Sequence, residues 1–432
     1  MAAFMRLRQA AVALPYPTLD TVLKGAYLTF VRNAKFVSAS NASDVLLMAN
    51  CVAELYGLDD TAAYQHAFVY LRQLALHLRS ALVTKSKEAL QAVYSWQYIN
   101  CLRVWTNVLC RFGGDTERPL FQLLFPHVQL CLGVARLIPT PRFMPLRLHV
   151  LAQLTELSWS TGVYIPVLPL LLDMLRTPVL TQKAHEAAGS APPALSTVIK
   201  LSKSALVSKA TQDALVNRLF DIILDAAKSQ YASVAFPEFI TPVLAQLRAF
   251  IKSTRMGTWR TRGKALCDAF TAQAAKVSAK RAGLKSAPGD RAALAAFMGS
   301  EAETLKADRA KARAAAAEAA RKEAEEAAAL AESAMYDKKR KFAAAAEDEE
   351  DSDDDDAFNA AHVRGGYDEA EDEAEDDAEE EDDAPVSRVA PGTKRARAGA
   401  GASVAGKKAR RQQSGSAGEE EDVVEDIDLG DL

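Results

Sequence analysis

The sequence has few of the residues from which disulfide frameworks, metal sites and catalytic centres are built. Five cysteines and six histidines occur among 432 residues. The cysteines are scattered without a C-x-x-C pair, which argues against a disulfide framework and is typical of a reducing compartment. The histidines show no H-x-x-H or H-E-x-x-H spacing, so the sequence predicts no metal site.

Long apolar runs are also missing. The longest apolar stretch, around residues 163–175, contains two prolines and an aspartate. It is too short and too broken to span a bilayer. Arg6 and Arg8 are followed only by a short run that contains prolines, so no signal peptide is predicted. We expect a soluble protein that does not associate with membranes.

Motifs for enzymatic chemistry are absent from the sequence. It contains no G-x-x-x-x-G-K-[ST] phosphate loop and no G-x-S-x-G nucleophile elbow. Dense carboxylates occur only in residues 347–383 and 419–431, where no fold is expected to hold them in place. We therefore expect no catalytic residue, no cofactor and no small-molecule substrate, and the protein is not expected to be an enzyme.

Helical periodicity, by contrast, is abundant. Apolar residues recur every three or four positions in two clear stripes. The stripes are Val93, Trp96, Ile99, Leu102, Trp105, Leu109 and Phe112, and Phe68, Leu71, Leu74, Ala75, Leu78 and Leu82. Similar segments cover most of residues 1–298 and predict an all-α fold. Short connections favour a stacked array with degenerate repeats over a single compact bundle.

Composition divides the chain into five parts. Residues 1–176 and 195–298 are predicted as two helical lobes, joined by a linker at 177–194. The Ala/Glu/Lys/Arg-rich part, 299–346, favours helix intrinsically and has few large apolar residues, so we expect a solvated helix that projects from the body. Residues 347–432 have too little apolar surface to offset the entropy of ordering, which predicts a disordered acidic tail.

Charge is distributed unevenly between the body and the tail. Residues 347–432 hold 30 carboxylates against 9 Lys and Arg residues, whereas residues 1–346 hold 26 against 43. A basic body with an acidic tail is common in proteins that meet RNA or basic proteins. The sequence spacing predicts a contact face on one helix, because Gln65, Arg72 and Arg79 lie seven residues apart.

Further candidates for contacts with RNA or a partner are Lys85, Lys87, Arg103, Arg142 and Arg147. The alternative is an ordinary solvated charged face. Aromatic residues of the same region have two interpretations as well, base stacking and core packing, of which packing is the commoner. They are Tyr94, Trp96, Tyr98 and Trp105.

The tail contains two basic clusters whose spacing resembles a two-part nuclear localisation signal for an importin-type receptor. The clusters are Lys394, Arg395 and Arg397, and Lys407, Lys408, Arg410 and Arg411. The alternative is that basic islands merely interrupt an acidic tail. Ser352 is followed by four aspartates and is a candidate phosphorylation site for an acid-directed kinase.

Several blocks of sequence resemble the nucleolar complex protein 2 family, in the same order and across roughly residues 15–285. The blocks are AYQHAFVYLRQLA (63–75), VYSWQYINCLRVW (93–105), LIPT (137–140), FMPLRLH (143–149), YIPVLP (164–169) and AFPE (235–238). Members usually carry a long charged region before this domain, whereas the resemblance here starts close to Met1.

The resemblance implies an armadillo/HEAT-like α-solenoid and a non-enzymatic role in maturation of the large (60S) ribosomal subunit. It implies nucleolar complex proteins 1 and 3 as heterodimer partners, pre-60S particles with ribosomal RNA as cargo, and a location in the nucleolus and nucleoplasm. Two other functions stay open. One is a nuclear transport adaptor, and the other is a histone or ribosomal-protein chaperone that works through the acidic tail.

Overall fold

The structure is a computed structural model that describes residues 2–14, 17–180, 194–283, 287, 290–297, 299, 301–312, 314–315 and 318. Its α-helices are, in chain order, α1 (Ala2–Ala13), α2 (Thr18–Asn33), α3 (Ala42–Leu55), α4 (Asp60–Thr84), α5 (Lys87–Val93), α6 (Trp96–Phe112), α7 (Leu124–Leu137), α8 (Met144–Thr161), α9 (Leu168–Leu175), α10 (Lys203–Val207), α11 (Lys209–Lys228), α12 (Phe236–Ser253), α13 (Gly257–Ala282) and α14 (Arg291–Ala296). Residues 301–312 form a further helix, α15. Short 3₁₀ turns are Pro119–Leu123, Pro141–Phe143 and Pro178–Leu180. The described residues contain no β-strand, which confirms the predicted all-α fold.

Local sequence fixes both ends of α4 and the start of α6. Asp59 and Ser95 accept hydrogen bonds from the backbone N–H groups three residues later, at 2.7 Å and 3.3 Å, and so cap the first turns of α4 and α6. α4 ends at Lys85, whose φ of 52° lies in the left-handed region. The helix that carries Gln65, Arg72 and Arg79 therefore has well-defined ends.

Five helices form a row in which each packs against the next, in the order α3, α6, α8, α11 and α13. Other helices pack beside this row. α7 and α9 both contact α8, α4 contacts α7, and α12 contacts α9 and α13. The buried side chains form one connected hydrophobic cluster that extends from Leu23 to Phe297. Serial packing of this kind confirms the armadillo/HEAT-like α-solenoid with degenerate repeats.

The helices on either side of the predicted linker pack against each other. α11 contacts both α8 and α9, and α12 contacts α9. The Leu201 N–H donates to the Arg142 carbonyl at 2.8 Å, and the Arg142 Nε–H donates to the Leu201 carbonyl at 3.3 Å. Residues 181–193 of the linker lie outside the described part of the chain, and a division into two lobes stays a prediction.

The aromatic residues of α6 and of the turn before it lie inside the array. Trp105 is 1% exposed, and its ring centroid lies 5.1 Å from those of Tyr27 and Tyr56. Its indole N–H donates to the Tyr27 hydroxyl at 3.3 Å. Tyr94, Trp96 and Tyr98 are also buried. Of the two interpretations of these aromatic residues, the structure confirms core packing.

One helical stretch, Pro119–Leu137, is long and apolar enough to cross a membrane, with a mean hydropathy of 1.4. It includes α7, which packs against α4, α6 and α8. Within the array, 56% of the stretch is buried. Burial in a protein core accounts for its apolar composition.

The start of the Ala/charged segment lies against the body, which differs from the expectation of a solvated, projecting helix. In α15, Arg309 donates to Asp225 at 2.7 Å and to Glu156 at 2.9 Å. Its guanidinium also lies 4.7 Å from the centroid of the Trp159 ring. Near the start of α15, Glu301 pairs with two lysines of α13. Ion pairs and a cation–π contact therefore hold α15 against the body. The expectation of a projecting helix rested on the small number of large apolar residues, and that count gives no information about contacts between charged side chains.

The predictions for the tail lie outside the described residues. They are the disordered acidic tail 347–432, both basic clusters of the localisation signal and the phosphorylation site at Ser352. Residues 319–346 of the Ala/charged segment lie outside as well. All of these stay predictions.

Candidate partner-binding surface

The outer face of α4 carries the first group of predicted contact residues. Gln65, Arg72 and Arg79 are exposed, and a spacing of seven residues places them on one strip of the helix. Among the described residues, neither arginine forms an ion pair or a hydrogen bond. Lys85, at the end of α4, and Lys87, the first residue of α5, are exposed as well. Their role in binding stays a prediction, but all five are accessible to a partner.

Large apolar side chains interrupt this charged strip. Val69, Leu76 and Val83 are also seven residues apart, and they are 43%, 51% and 74% exposed. They alternate with Arg72 and Arg79 along the helix. Scattered apolar residues on a surface are ordinary, whereas a large contiguous apolar patch is typical of a surface that binds another macromolecule. Sequence analysis missed these three residues, although their spacing of seven was visible.

The buried face of α4 differs from the predicted stripe. Phe68 and Leu82 are about half exposed, at 49% and 51%, and Ala75 is exposed as well. The core side is formed by Ala63, Ala67, Tyr70, Leu71, Leu74, Leu78 and Ala81. The stripe is confirmed at Leu71, Leu74 and Leu78, but it left out the small residues Ala63, Ala67 and Ala81 of the core side. The outer face therefore gains two large apolar side chains.

We name this outer face the α4 ridge. It consists of Gln65, Phe68, Val69, Arg72, Leu76, Arg79, Leu82 and Val83. Its chemistry is mixed, because apolar side chains favour burial by a protein while the arginines favour anionic groups.

Three other predicted arginines do not share an exposed surface, which corrects the predicted set. Arg147 is only 2% exposed, and its guanidinium lies 3.8 Å from the Asp173 carboxylate. Arg142 is partly buried and bonded to the Leu201 carbonyl. Arg103 lines a cavity. Arg147 is enclosed because α8 packs on α6, α7, α9 and α11, so that even a charged residue of this helix is covered.

One histidine lies close to both a hydroxyl and a thiol, but deep in the core. His127 Nε2 is 2.8 Å from the Thr106 hydroxyl and 3.6 Å from Cys131 Sγ. Burial lowers the pKa of His127 to about 4 and raises the pKa of the Cys131 thiol. A thiol held in its protonated form is a poor nucleophile. Within the described ranges, no group of three or more His, Cys, Asp or Glu residues could hold a metal ion.

A family model and the similar known proteins indicate the same family for this chain. The model described as the Noc2p family matches residues 17–312. The chain is 39% identical to the nucleolar complex-associated protein 2 of Arabidopsis thaliana over 287 residues, which are 66% of this chain and 37% of that protein. It is 35% identical to the nucleolar complex protein 2 of Drosophila melanogaster over 264 residues, which are 61% of this chain and 34% of that protein.

The matched residues 17–312 contain helices α2 to α15 and therefore the whole α4 ridge. The chain spans about a third of the length of these curated relatives. Because the family model covers more than half of the chain, and the blocks of sequence that resemble the family lie within the match, this chain belongs to the Noc2p family.

Proposed function

We propose that this chain is a non-enzymatic scaffold in biogenesis of the large (60S) ribosomal subunit, located in the nucleolus and nucleoplasm. The α4 ridge is the observation that carries this proposal, since it offers a partner both apolar and basic side chains on a rigid helical array. The names of the relatives, nucleolar complex proteins, support a role within an assembly in the nucleolus.

The first step of the proposed mechanism is heterodimer formation with a related nucleolar complex protein, 1 or 3. A helix of the partner covers Val69, Leu76 and Val83, which are more than two-fifths exposed in the free chain. Full burial of an exposed valine or leucine side chain contributes about 1.5–3 kcal/mol. These three side chains are 43%, 51% and 74% exposed, so each gains roughly half of that when a partner covers it.

The second step is attachment to the pre-60S particle. Arg72 and Arg79 contact phosphates of ribosomal RNA beside the bound partner. Such contacts depend on salt and carry little sequence information, because every nucleotide presents the same phosphate. An importin-type receptor that recognises the basic clusters of the tail would bring the chain into the nucleus.

The test is affinity purification of the tagged chain from nuclear extract under nuclease-free conditions, followed by sequencing of the bound RNA and identification of bound proteins. We expect Leu76→Glu/Val83→Glu to lose the related helical protein. Arg72→Glu/Arg79→Glu should keep that protein and lose most large-subunit precursor RNA.

A matched control changes an equal charge on an exposed part of α12, through Arg248→Glu/Lys252→Glu, and should keep both. Wild-type chain that recovers neither precursor RNA nor a related protein would contradict the proposal. Receptor or cargo binding that survives ribonuclease, without precursors, would favour a transport adaptor. Binding of histones or ribosomal proteins that disappears when residues 347–432 are deleted would favour a chaperone.

A further inference from the structure

A cavity of about 790 Å³ opens between α6, α8, α11 and α15. A second cavity of about 520 Å³ extends from it towards α3 and the residues that follow the linker. Arg103, His149 and Arg218 line both cavities, so they stand where the two meet. The two cavities are open to solvent and together leave room for an extended ligand.

The two arginines at this junction have no acidic partner in the described part of the chain. Three of the four carboxylates that line the larger cavity are already engaged, and the fourth, Asp308 on α15, does not line the smaller cavity. Glu156 and Asp225 both accept hydrogen bonds from Arg309, and Asp221 accepts one from Arg262. Burial lowers the pKa of the Arg103 guanidinium, which shows that its charge is held away from water without compensation. The junction therefore favours an anionic group.

Gln153 indicates what else the ligand provides. Its side chain is 8% exposed and lines the larger cavity, yet neither Nε2 nor Oε1 has a hydrogen-bond partner among the described residues. A buried polar group without a partner costs about 1–3 kcal/mol. A phosphate offers only acceptors to this amide, whereas a peptide backbone offers an N–H and a carbonyl together. Gln153 thus favours a peptide.

The remaining walls favour aliphatic side chains on that peptide. Leu46 of α3, Ala152 of α8 and Leu305 of α15 line the larger cavity, and Leu148 and Leu195 line the smaller one. His149 does not add charge, because burial lowers its pKa to about 4 and its Nε2 is bonded to the Val198 carbonyl at 3.1 Å. A peptide that alternates carboxylates with aliphatic residues fits both the arginines and these walls.

This chain contains such a sequence near its end. Residues 422–429 read DVVEDIDL, with four carboxylates and four aliphatic side chains. α15 forms one wall of the larger cavity, so the chain after residue 312 starts beside it. About 110 residues separate α15 from this sequence, and at up to about 3.3 Å per residue they can return to the cavity.

We propose that residues 422–429 bind in this cavity of their own chain. The carboxylates of Asp426 and Asp428 pair with Arg103 and Arg218, aliphatic side chains lie against Leu46 and Leu305, and the peptide backbone bonds with the Gln153 amide. Such a segment folds as it binds, which is consistent with the disorder that its composition predicts in isolation.

The experiment uses the full-length chain with a photoreactive benzoylphenylalanine at position 427, irradiated as the free protein. We expect cross-links to residues that line the cavity, such as Ala152 and Leu305. Arg218 is exposed on α11, so Arg218→Glu should leave the melting temperature unchanged and reduce these cross-links at least fivefold. Adding Asp428→Arg to Arg218→Glu should restore more than half of the yield.

Three controls make the outcome decisive. The same probe at position 358, elsewhere in the acidic tail, should give no cross-link in the cavity. Arg248→Glu, an equal charge change on α12, should leave the yield intact. Mixtures of isotope-labelled and unlabelled chains should give cross-links within one chain only. Cross-links on the α4 ridge, between two chains or nowhere, or a yield that is indifferent to Arg218→Glu, would overturn the proposal.

Discussion

The helices α4 and α6 both bury one face in the array, yet they differ in how much apolar surface they leave exposed. On α6, apolar and aromatic residues such as Trp105 are buried, and the Asn100 amide donates to the Ala34 carbonyl at 3.1 Å. On α4, the apolar side chains of Leu76 and Val83 face outward, and no other described part of the chain covers them. Apolar periodicity therefore shows that a helix has faces to bury. It does not show whether its own chain or a partner buries them.

The largest loss of stability is expected when a core residue of α6 is truncated. Trp105→Ala deletes a ring that touches Tyr27, Tyr56 and Tyr70. We expect the free energy of unfolding to fall by about 3–5 kcal/mol, as is typical when a large buried aromatic is truncated. Urea denaturation followed by circular dichroism measures this loss. A fall below about 1 kcal/mol would show that Trp105 is not the packing centre that the structure indicates.

The buried polar atoms beside α6 predict a dependence on pH. The folded pKa of His127 is about 4, below its ordinary value of 6.5. Above pH 6.5 the histidine is neutral in both states. As pH falls from 6.5 towards 4, only the unfolded chain takes up the proton, so stability is lost. His127 alone should cost about 2 kcal/mol between pH 6.5 and 5.

Urea denaturation at a series of pH values tests this expectation. His149, which also has a folded pKa of about 4, should add a similar loss. His127→Gln should therefore flatten the pH profile by about half and leave the rest. An identical profile in the variant would mean that the imidazole of His127 is solvated or charged in the folded protein.

The sequence predicted the array well but placed single charges poorly. A period of three to four apolar residues is a local signal, and it is sufficient for the all-α fold and for most of α6. Burial of Arg147 and the partnership of Arg309 with Asp225 and Glu156 depend on helices that are distant in the chain. No local pattern encodes such contacts.

The same distinction explains the candidate surface. Gln65, Arg72 and Arg79 were found because charge at a spacing of seven is visible in one helix. The exposed apolar residues of the α4 ridge were missed because a leucine or valine in a helical period is normally assigned to the core. The buried face of α4 includes Ala63, Ala67 and Ala81, whose small size becomes informative only once the neighbouring helices are placed.

The contacts of α15 should have a smaller and more local effect than the core of α6. Arg309→Ala removes hydrogen bonds to two partly buried carboxylates and the cation–π contact with Trp159. We expect α15 to open more readily by about 1–3 kcal/mol, with little change in global unfolding. Hydrogen exchange of residues 301–312 measures this change. Equal exchange rates in wild type and variant would mean that Arg309 does not hold α15 against the body, and would support the solvated, projecting helix expected from composition.

The smallest effect on stability is expected on the α4 ridge. Leu76→Ser/Val83→Ser replaces side chains that are 51% and 74% exposed and that support no described contact in the core. The free energy of unfolding should change by about 0.5 kcal/mol or less, as for ordinary surface substitutions. Leu74→Ser, two residues away but 4% exposed, is the matched control and should cost several times more. If the two ridge substitutions were as costly as the control, Leu76 and Val83 would be covered by this chain itself. Their exposure could then no longer be attributed to a missing partner.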